Sequence, residues 1–367
     1  MTAGLFTPLR SVPGDSIEHA LTTTPPLTHE RDLPTASEET LLALAHHLER
    51  IRAERLPNDL PSSLEMLIRA LRQRDPDADQ HHLLVWRDGA VIAHAVLTFP
   101  LVQNTTQAAV TLTVLPAERR QGLARRLLDE IAQLAAHHGR PTLLTTASDR
   151  VPAGEAALRH LDAQCVMRQQ FMELDLQRLD QNQLAVWATG RSSDPYTIWW
   201  QVGPYPEGRL AEIGRLRTVM HSAPQGARQR EEHPVTPAEL RAEEALLQGR
   251  GRRRLTTFAE SRASGELVAF TELVWDEEQP AVMIQHGTAV RPDHRRQALG
   301  WRIKVVNLLV AAEVNPLVRW VRAGNTDDNV GMLRINRRLG FRPYLIHTDW
   351  QIELETVQRY LAACERE

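Results

Sequence analysis

Residues 119–125 of this chain read Arg-Arg-Gln-Gly-Leu-Ala-Arg, and residues 295–301 read Arg-Arg-Gln-Ala-Leu-Gly-Trp. In both places a strand-like apolar run, ending at Val114 or Val290, comes before the arginines, and a helical pattern follows them. The first turn of a helix carries N–H groups without intrahelical partners, and the helix dipole adds positive potential in front of them. Gly122 allows a phosphate to approach that backbone, and the neighbouring arginines can meet a further phosphate. The chemistry implied is binding of a pyrophosphate-bearing cofactor. One site runs along Val114, Arg119, Arg120, Gln121, Gly122, Leu123, Ala124 and Arg125; the other along Val290, Arg295, Arg296, Gln297, Ala298, Leu299, Gly300 and Trp301. At Ala298 a helical φ is expected, which suits alanine and leaves its N–H available. Neither half contains Gly-x-Gly-x-x-Gly or a loop ending in Gly-Lys-Ser/Thr, so nucleotide hydrolysis and dinucleotide redox chemistry lose support.

Proton transfer has its own candidates. Glu272 lies in the apolar run "FTELVW"; a carboxylate there is hard to leave unpaired, and its pKa should rise if buried. An exposed, outward-facing strand residue or a structural ion pair is the competing explanation. His286, on the strand before the second loop, has an ordinary pKa suited to neutral pH. Tyr344 and His347 follow "LGF" and carry groups able to supply a proton. Histidine pairs begin at positions 46, 81 and 137, but no His-x-x-x-His or carboxylate set is read beside them and no metal site is expected. "RGRRR" at 250–254 reads as solvated surface rather than a nucleic-acid contact.

The elements that would position these groups are legible from periodicity. Helices are expected over Glu38–Arg55 and Ser62–Arg72, then two strands about the Asp88-Gly89 turn and a third at Ala108–Val114. A helix carrying Leu123, Leu127, Leu128, Ile131 and Leu134 on one face should end at Gly139. A strand at 141–146, a short helix at 154–161 and a strand at 167–176 complete the half. Residues 1–35 read as loop with a local strand near Leu5–Leu9. The order then repeats: Gly89 and Gly265, Pro116 and Pro292, and Arg119 and Arg295 are each about 176 residues apart. A duplicated domain follows, with a first unit at 1–180, a polar linker at 181–194 containing Gly190, Ser192 and Ser193, and a second unit at 195–367.

A length of 367 residues agrees with two units. The 43 Lys plus Arg nearly balance the 46 Asp plus Glu for a net charge of -3, so bulk electrostatics call for no nucleic-acid or membrane partner. No signal segment or bilayer-length apolar run is evident, and a cytoplasmic protein is expected. Cys165 and Cys364 read as two idle or buried thiols, with a single bridge between them as the alternative.

Strand, Arg-x-x-Gly-x-Gly/Ala and amphipathic helix together resemble the acetyl-coenzyme A signature of the GCN5-related N-acetyltransferases, in both halves. "MHSAPQG" at 220–226, "FTELVW" at 270–275 and "GNTDDNVGMLRINRRLGF" at 324–341 resemble a bacterial tandem branch of that family. The resemblance implies an α/β fold of two such domains, each a splayed mixed sheet flanked by helices. It implies the coenzyme pyrophosphate on the amides of the two loops, and Asn325 and Asn329 beside the pantetheine arm. Many members carry a Tyr four residues before the Gly of "LGF" to protonate the leaving thiolate; Asn336 stands there in the second half and Leu158 in the first. "LGF" has become "LDA" at 161–163. The second half is therefore expected to be catalytic and the first a degenerate copy. The expected activity is transfer of acetyl from acetyl-coenzyme A to a primary amine of a small molecule by direct attack, with Glu272, His286 and Tyr344 as candidate catalytic groups. A non-catalytic acyl-coenzyme A binding module is the alternative. The chain is expected to be a monomeric pseudo-dimer or a homodimer.

Overall fold

A computed structural model of the chain describes residues 24–31, 33–189, 194–219 and 234–366. The expected strand at Leu5–Leu9, the "MHSAPQG" stretch and the Gly190, Ser192 and Ser193 breakers lie outside the described residues.

The first half runs β1 (Leu27–Glu30), α1 (Glu38–Arg55), α2 (Leu64–Leu71), β2 (Ala78–Arg87), β3 (Ala90–Pro100), β4 (Gln107–Val114), α3 (Leu123–His137), β5 (Thr142–Ser148), α4 (Pro152–His160) and β6 (Gln164–Asp175). Helix α5 (Gln181–Ala188) follows. The second half runs β7 (Tyr196–Val202), α6 (Leu210–Thr218), α7 (Pro237–Gly249), β8 (Arg252–Ser261), β9 (Leu267–Asp276), β10 (Gln279–Val290), α8 (Leu299–Val314), β11 (Trp320–Thr326), α9 (Val330–Arg338), β12 (Arg342–Glu353) and α10 (Leu354–Cys364). Local chemistry sets the helix starts. Ser37 and Ser63 accept the N–H groups of Thr40 and Met66 at 3.1 and 3.0 Å, and Thr236 with Glu239 forms a reciprocal capping box on α7. The stretch read as polar linker contains α5, capped by Asp180 and docked on α8 through Trp187 and Trp301, whose ring centroids lie 5.1 Å apart.

The described strands join one sheet in the order β1-β2-β3-β4-β5-β12-β6-β11-β10-β9-β8-β7. The last strands of the halves are exchanged: β12 pairs with β5 of the first half, β6 pairs with β11 of the second, and the two pair with each other antiparallel. The apolar cores follow the exchange. Ile352, Leu354 and Val357 complete the core beneath α3, while Met172, Leu174 and Leu176 complete the core beneath α8. Removing either last strand would strip a ladder edge and several buried side chains, each contributing about 1.5–3 kcal/mol, from the opposite half.

Within each half one parallel pair is splayed. β4 and β5 are joined only from Gln107–Ala109 to Thr142–Leu144, and β10 and β11 only from Val282–Gln285 to Trp320–Ala323. Beyond those residues the strands part, and the phosphate-type loop and its helix start at the open end.

Candidate functional site

The two arginine loops share one construction. Arg119 Nε donates to the Val114 carbonyl at 3.1 Å and Arg295 Nε to the Val290 carbonyl at 3.0 Å, so the first arginine of each motif clasps the end of the strand before it. Arg119 is further held by both carboxylate oxygens of Glu54, at 2.8 and 2.6 Å. The glutamines face protein as well: Gln121 Oε1 accepts from Arg87 at 3.1 Å, and Gln297 Oε1 accepts from the Tyr196 hydroxyl at 2.8 Å. Arg120 and Arg296 both adopt φ 64°, and the residue before each helix is also left-handed, Gly122 at φ 78° and Ala298 at φ 57°. Arg126 and Arg302 donate back to the carbonyls of Gly122 and Ala298, both at 3.0 Å. The repeated residues therefore build a backbone cradle of first-turn amides.

Ala298 departs from the helical φ expected of it. An L-residue in this region costs about 1–2 kcal/mol because Cβ crowds the following carbonyl oxygen. Since the matched position is a glycine, the second loop keeps the shape of the first at a conformational cost.

A cleft of about 590 Å³ opens over the second cradle. Thr288, Val290, Ala298, Gly300, Trp301 and Asn329 line it, together with Arg295, Arg296, Arg334 and Arg338. Four guanidinium groups around first-turn amides make an electropositive mouth suited to a polyphosphate. Asn329 caps α9 by accepting the Met332 N–H at 3.3 Å, and Arg338 lies 4.5 Å over the Trp301 ring.

Deeper in the splay, the β9–β10 register breaks between Gln285↔Leu273 and Thr288↔Thr271. His286 and Gly287 are thus bulged opposite Glu272, and a bulge frees ladder groups and re-aims its side chain. Gly287 sits close to its neighbours: a Cβ there would stand 3.0 Å from the Phe270 ring and 3.6 Å from Glu272 Oε2, so a side chain would need the ring to give by a few tenths of an ångström. In the first half, β3 and β4 stay in unbroken register from Ala93↔Val114 to Thr98↔Ala109.

Glu272 is 1 % exposed. It accepts a short hydrogen bond from the Tyr205 hydroxyl and faces Arg217 at 3.9 Å and Arg254 at 4.0 Å. Burial alone would raise its pKa, as expected from sequence. The two guanidinium groups and the hydroxyl outweigh burial and hold the carboxyl below its ordinary value. Burial, reinforced by Glu272, pushes the Tyr205 hydroxyl well above its usual pKa, so it remains a donor. Arg254 belongs to "RGRRR", yet it is 2 % exposed, pairs with Glu244 at 2.7 Å and lies 3.6 Å over the Tyr205 ring. That run is only partly the solvated surface expected, since Arg254 points inward.

His286 keeps an accessible edge, while the protein packed around it lowers its pKa by desolvation and Glu272 opposes that shift. The imidazole is therefore neutral at neutral pH and has a carboxylate beside it. Asn336, fully buried, is occupied at both ends: Oδ1 accepts from Lys304 Nζ at 2.8 Å and Nδ2 donates to Asn325 Oδ1 at 2.7 Å. Desolvation brings the Lys304 ammonium down to about 7.

Tyr344 is not brought to this site. Its strand, β12, lies three strand spacings, about 14 Å, from β10. Its hydroxyl donates to Asp59 at 2.9 Å, and Asp59 in turn binds Arg322 through both oxygens. His347 is on the same strand, with its ring against Phe171 at 4.7 Å. Glu272 and His286 face each other across the β9–β10 bulge, and Asn325 and Asn329 stand at the ends of β11 and α9. Sequence reasoning missed Arg217, Arg254 and Lys304; only Lys304 carried a local signal, a charge inside the mostly apolar run of α8, whereas Arg217 and Arg254 have charged neighbours in sequence. Cys165 and Cys364 are free thiols, and Cys165 is exposed rather than buried. Among the described residues no helix is long and apolar enough to cross a membrane.

The acetyltransferase (GNAT) family model matches residues 45–161. No curated protein sequence matches the chain. Among solved structures, a tandem GNAT protein from the clavulanic acid biosynthesis pathway is 27% identical, with 90% of this chain and 99% of that chain covered and a TM-score of 0.75. A GCN5-related N-acetyltransferase from Sphaerobacter thermophilus, 14% identical over 89% of this chain and 96% of its own, has a TM-score of 0.58 and shares the fold. So does the glucosamine N-acetyltransferase region of a fungal multi-domain β-N-acetylglucosaminidase, 11% identical, covering 90% of this chain and 38% of that one, with a TM-score of 0.62. Residues 45–161 thus carry a GNAT-type domain, and the chain as a whole, with both halves built on one splayed-strand plan and joined in one sheet, is similar to a tandem GNAT protein.

Proposed function

We propose that the second half binds acetyl-coenzyme A and transfers its acetyl group to a primary amine of a small molecule by direct attack in a ternary complex. The observation that carries this reading is the coincidence, at one splay, of an arginine-lined cleft and a strand bulge that sets His286 opposite Glu272. The pyrophosphate suits the amides of residues 296–301, and the 590 Å³ cleft leaves room for the arm between the end of β10 and helices α8 and α9. A ladder N–H freed by the bulge is a donor for the acetyl carbonyl, whose oxygen gains negative charge as the amine attacks. The amine nitrogen forms a bond to the carbonyl carbon, the carbon–sulfur bond breaks, and the amine proton passes to neutral His286 directly or through water. Glu272, held ionised by Arg217 and Arg254, stabilises the imidazolium so formed. Asn336 carries no transferable proton, and the thiolate is protonated from solvent. On this reading Tyr344 is a positioning residue between the halves.

Calorimetric titration of the purified protein with acetyl-coenzyme A, followed by thiol release across a panel of primary amines, tests the proposal. Binding with amine-dependent release supports the transferase. Binding without release on any amine favours an acyl-coenzyme A sensor, a reading supported by Asn336 and Leu158 in the place of a tyrosine. Absence of binding overturns both.

A further inference from the structure

Two of the histidine pairs set aside in the sequence come together in the first half, far from both arginine loops. Asp79 and His81 stand two residues apart on β2 and so share one face of the sheet, and His138 caps the carboxyl end of α3. One ligand atom from each of the three lies within 4.8 Å of the others. We propose that Asp79, His81 and His138 form a site for a first-row transition-metal dication of the Zn(II) class, with His29 orienting the central ligand.

The spacing suits such an ion. Bonds of about 2.0–2.1 Å in a tetrahedral zinc site hold ligand atoms about 3.3–3.4 Å apart. His81 Nε2 and Asp79 Oδ2 are 3.4 Å apart, so the ion replaces the proton shared between them. His138 reaches the same centre by sliding in the plane of its ring, which stacks on Phe99 at 4.2 Å and 10°. The far nitrogen of His81 is 2.8 Å from His29 Nε2. A metal-bound histidine ordinarily donates its remote N–H to such an acceptor, which fixes tautomer and ring orientation.

The surroundings favour a cation. The carboxyl end of α3 presents the negative pole of its dipole at His138. His81 is 3 % exposed and Phe99 fully buried, which gives the site a dry wall. Two imidazoles and one carboxylate suit Zn(II), Co(II) or Ni(II) better than Mg(II) or Ca(II). Arg31 pairs with Asp79 Oδ2 at 3.0 Å, but its side chain is 69 % exposed and swings to water when the ion enters. The fold itself does not demand the cluster, because Leu255, Thr257 and Val314 occupy the matching places one repeat later. From His138 the loop at Gly122 is about 22 Å away along α3, so the ion clamps the far end of that helix to the sheet edge and takes no part in acyl transfer.

Tag-free protein dialysed against chelator, then titrated with Zn(II) by calorimetry and with Co(II) by visible absorption, tests the site. The expected result is one equivalent per chain, the ligand-field bands of low-coordinate Co(II) in the wild-type protein, and a melting temperature raised by several degrees with Zn(II). His81→Gln and His138→Gln should each weaken binding at least tenfold, Arg31→Ala should tighten it, and His137→Gln should leave it unchanged. Absence of a one-equivalent isotherm for wild type, Co(II) bands that survive His81→Gln with His138→Gln, or loss of binding in His137→Gln overturns the proposal. Each of these outcomes is read on the metal, not on turnover, and stands whichever way the acyltransferase test falls.

Discussion

The two halves share a plan and differ in the groups the plan displays. In the first, β3 and β4 run in unbroken register, Val96 and Val110 occupy the places of Glu272 and His286, and Leu128 and Leu158 occupy those of Lys304 and Asn336. In the second, the strand is bulged, the carboxylate is embedded among arginines, and polar side chains chain together from α8 to β11. The family model nonetheless matches the first half. Family likeness in sequence follows the residues that make the fold, such as Gly122 with its left-handed φ, whereas a reaction depends on a few side chains that the fold tolerates without requiring. On the proposed function, likeness and chemistry have separated between the two copies.

The largest effect should come from obstructing one cradle at a time. Ala298→Trp fills the mouth of the second cleft and should abolish acetyl-coenzyme A binding by calorimetry, while Gly122→Trp should leave it intact. The reverse outcome would move the catalytic assignment to the first half and break the comparison. Next in size, His286→Ala should lower kcat about 100-fold, the range of a lost general base. The matched Val110→Ala should not change turnover. Since His286 titrates below its ordinary 6.5, the acidic limb of kcat/KM that belongs to it should lie below pH 6.5 and vanish in the variant.

Much of this architecture was legible in the sequence because it is local. The Asp88-Gly89 turn, the caps at Ser37 and Ser63, and the stripe on α3 each declare themselves within a few residues, and the 176-residue echo declares the duplication. The strand exchange is not local. β6 and β12 have the same pattern and follow equivalent helices, so nothing in either strand says which neighbour it will choose. Glu272 stands out in the sequence as a carboxylate in an apolar run, but its burial is settled only by the fold, and its depressed pKa, opposite to the rise expected, depends on Arg217 and Arg254, 55 and 18 residues away in sequence. Asp79, His81 and His138 are harmless apart and become a cluster only when α3 ends over β2.

A smaller, stability-level contrast should appear in acid. The first half buries His82 and His94 as a stacked pair with centroids 5.4 Å apart, and Phe258 and Phe270 stand at the matching positions of the second. His47 is also buried, against the Val91 carbonyl and Thr113. Desolvation lowers His47 and His82 to about 4, and His94 well below its usual value. A group depressed on folding contributes its stability fully above the unfolded pKa, about 6.5, and loses it as pH falls toward the folded one. With folded values about 4, His47 and His82 each contribute up to about 3 kcal/mol at neutral pH, most of it lost between pH 6.5 and 4. Melting temperature against pH should fall steeply in that window. His82→Phe with His94→Phe, which copies the second half, should flatten the fall; an unchanged profile would mean that acid lability comes from elsewhere.

The smallest effect tests the cradles themselves. Ala298 holds φ 57° where Gly122 holds φ 78°, so the copies differ by one methyl group at a left-handed position. Ala298→Gly relieves about 1–2 kcal/mol of crowding and gives back part of it as unfolded-chain entropy, for a net gain of about 0.5–1 kcal/mol. Gly122→Ala runs the exchange backwards and should cost a similar amount, because a Cβ there meets nothing within 4 Å and the penalty is conformational alone. Equal and opposite shifts in denaturation midpoint would show that the loops are one structure carrying two residues. A destabilising Ala298→Gly would instead show that the methyl group packs against the cleft in a way the first half does not share, and the two cradles would then differ in more than that residue.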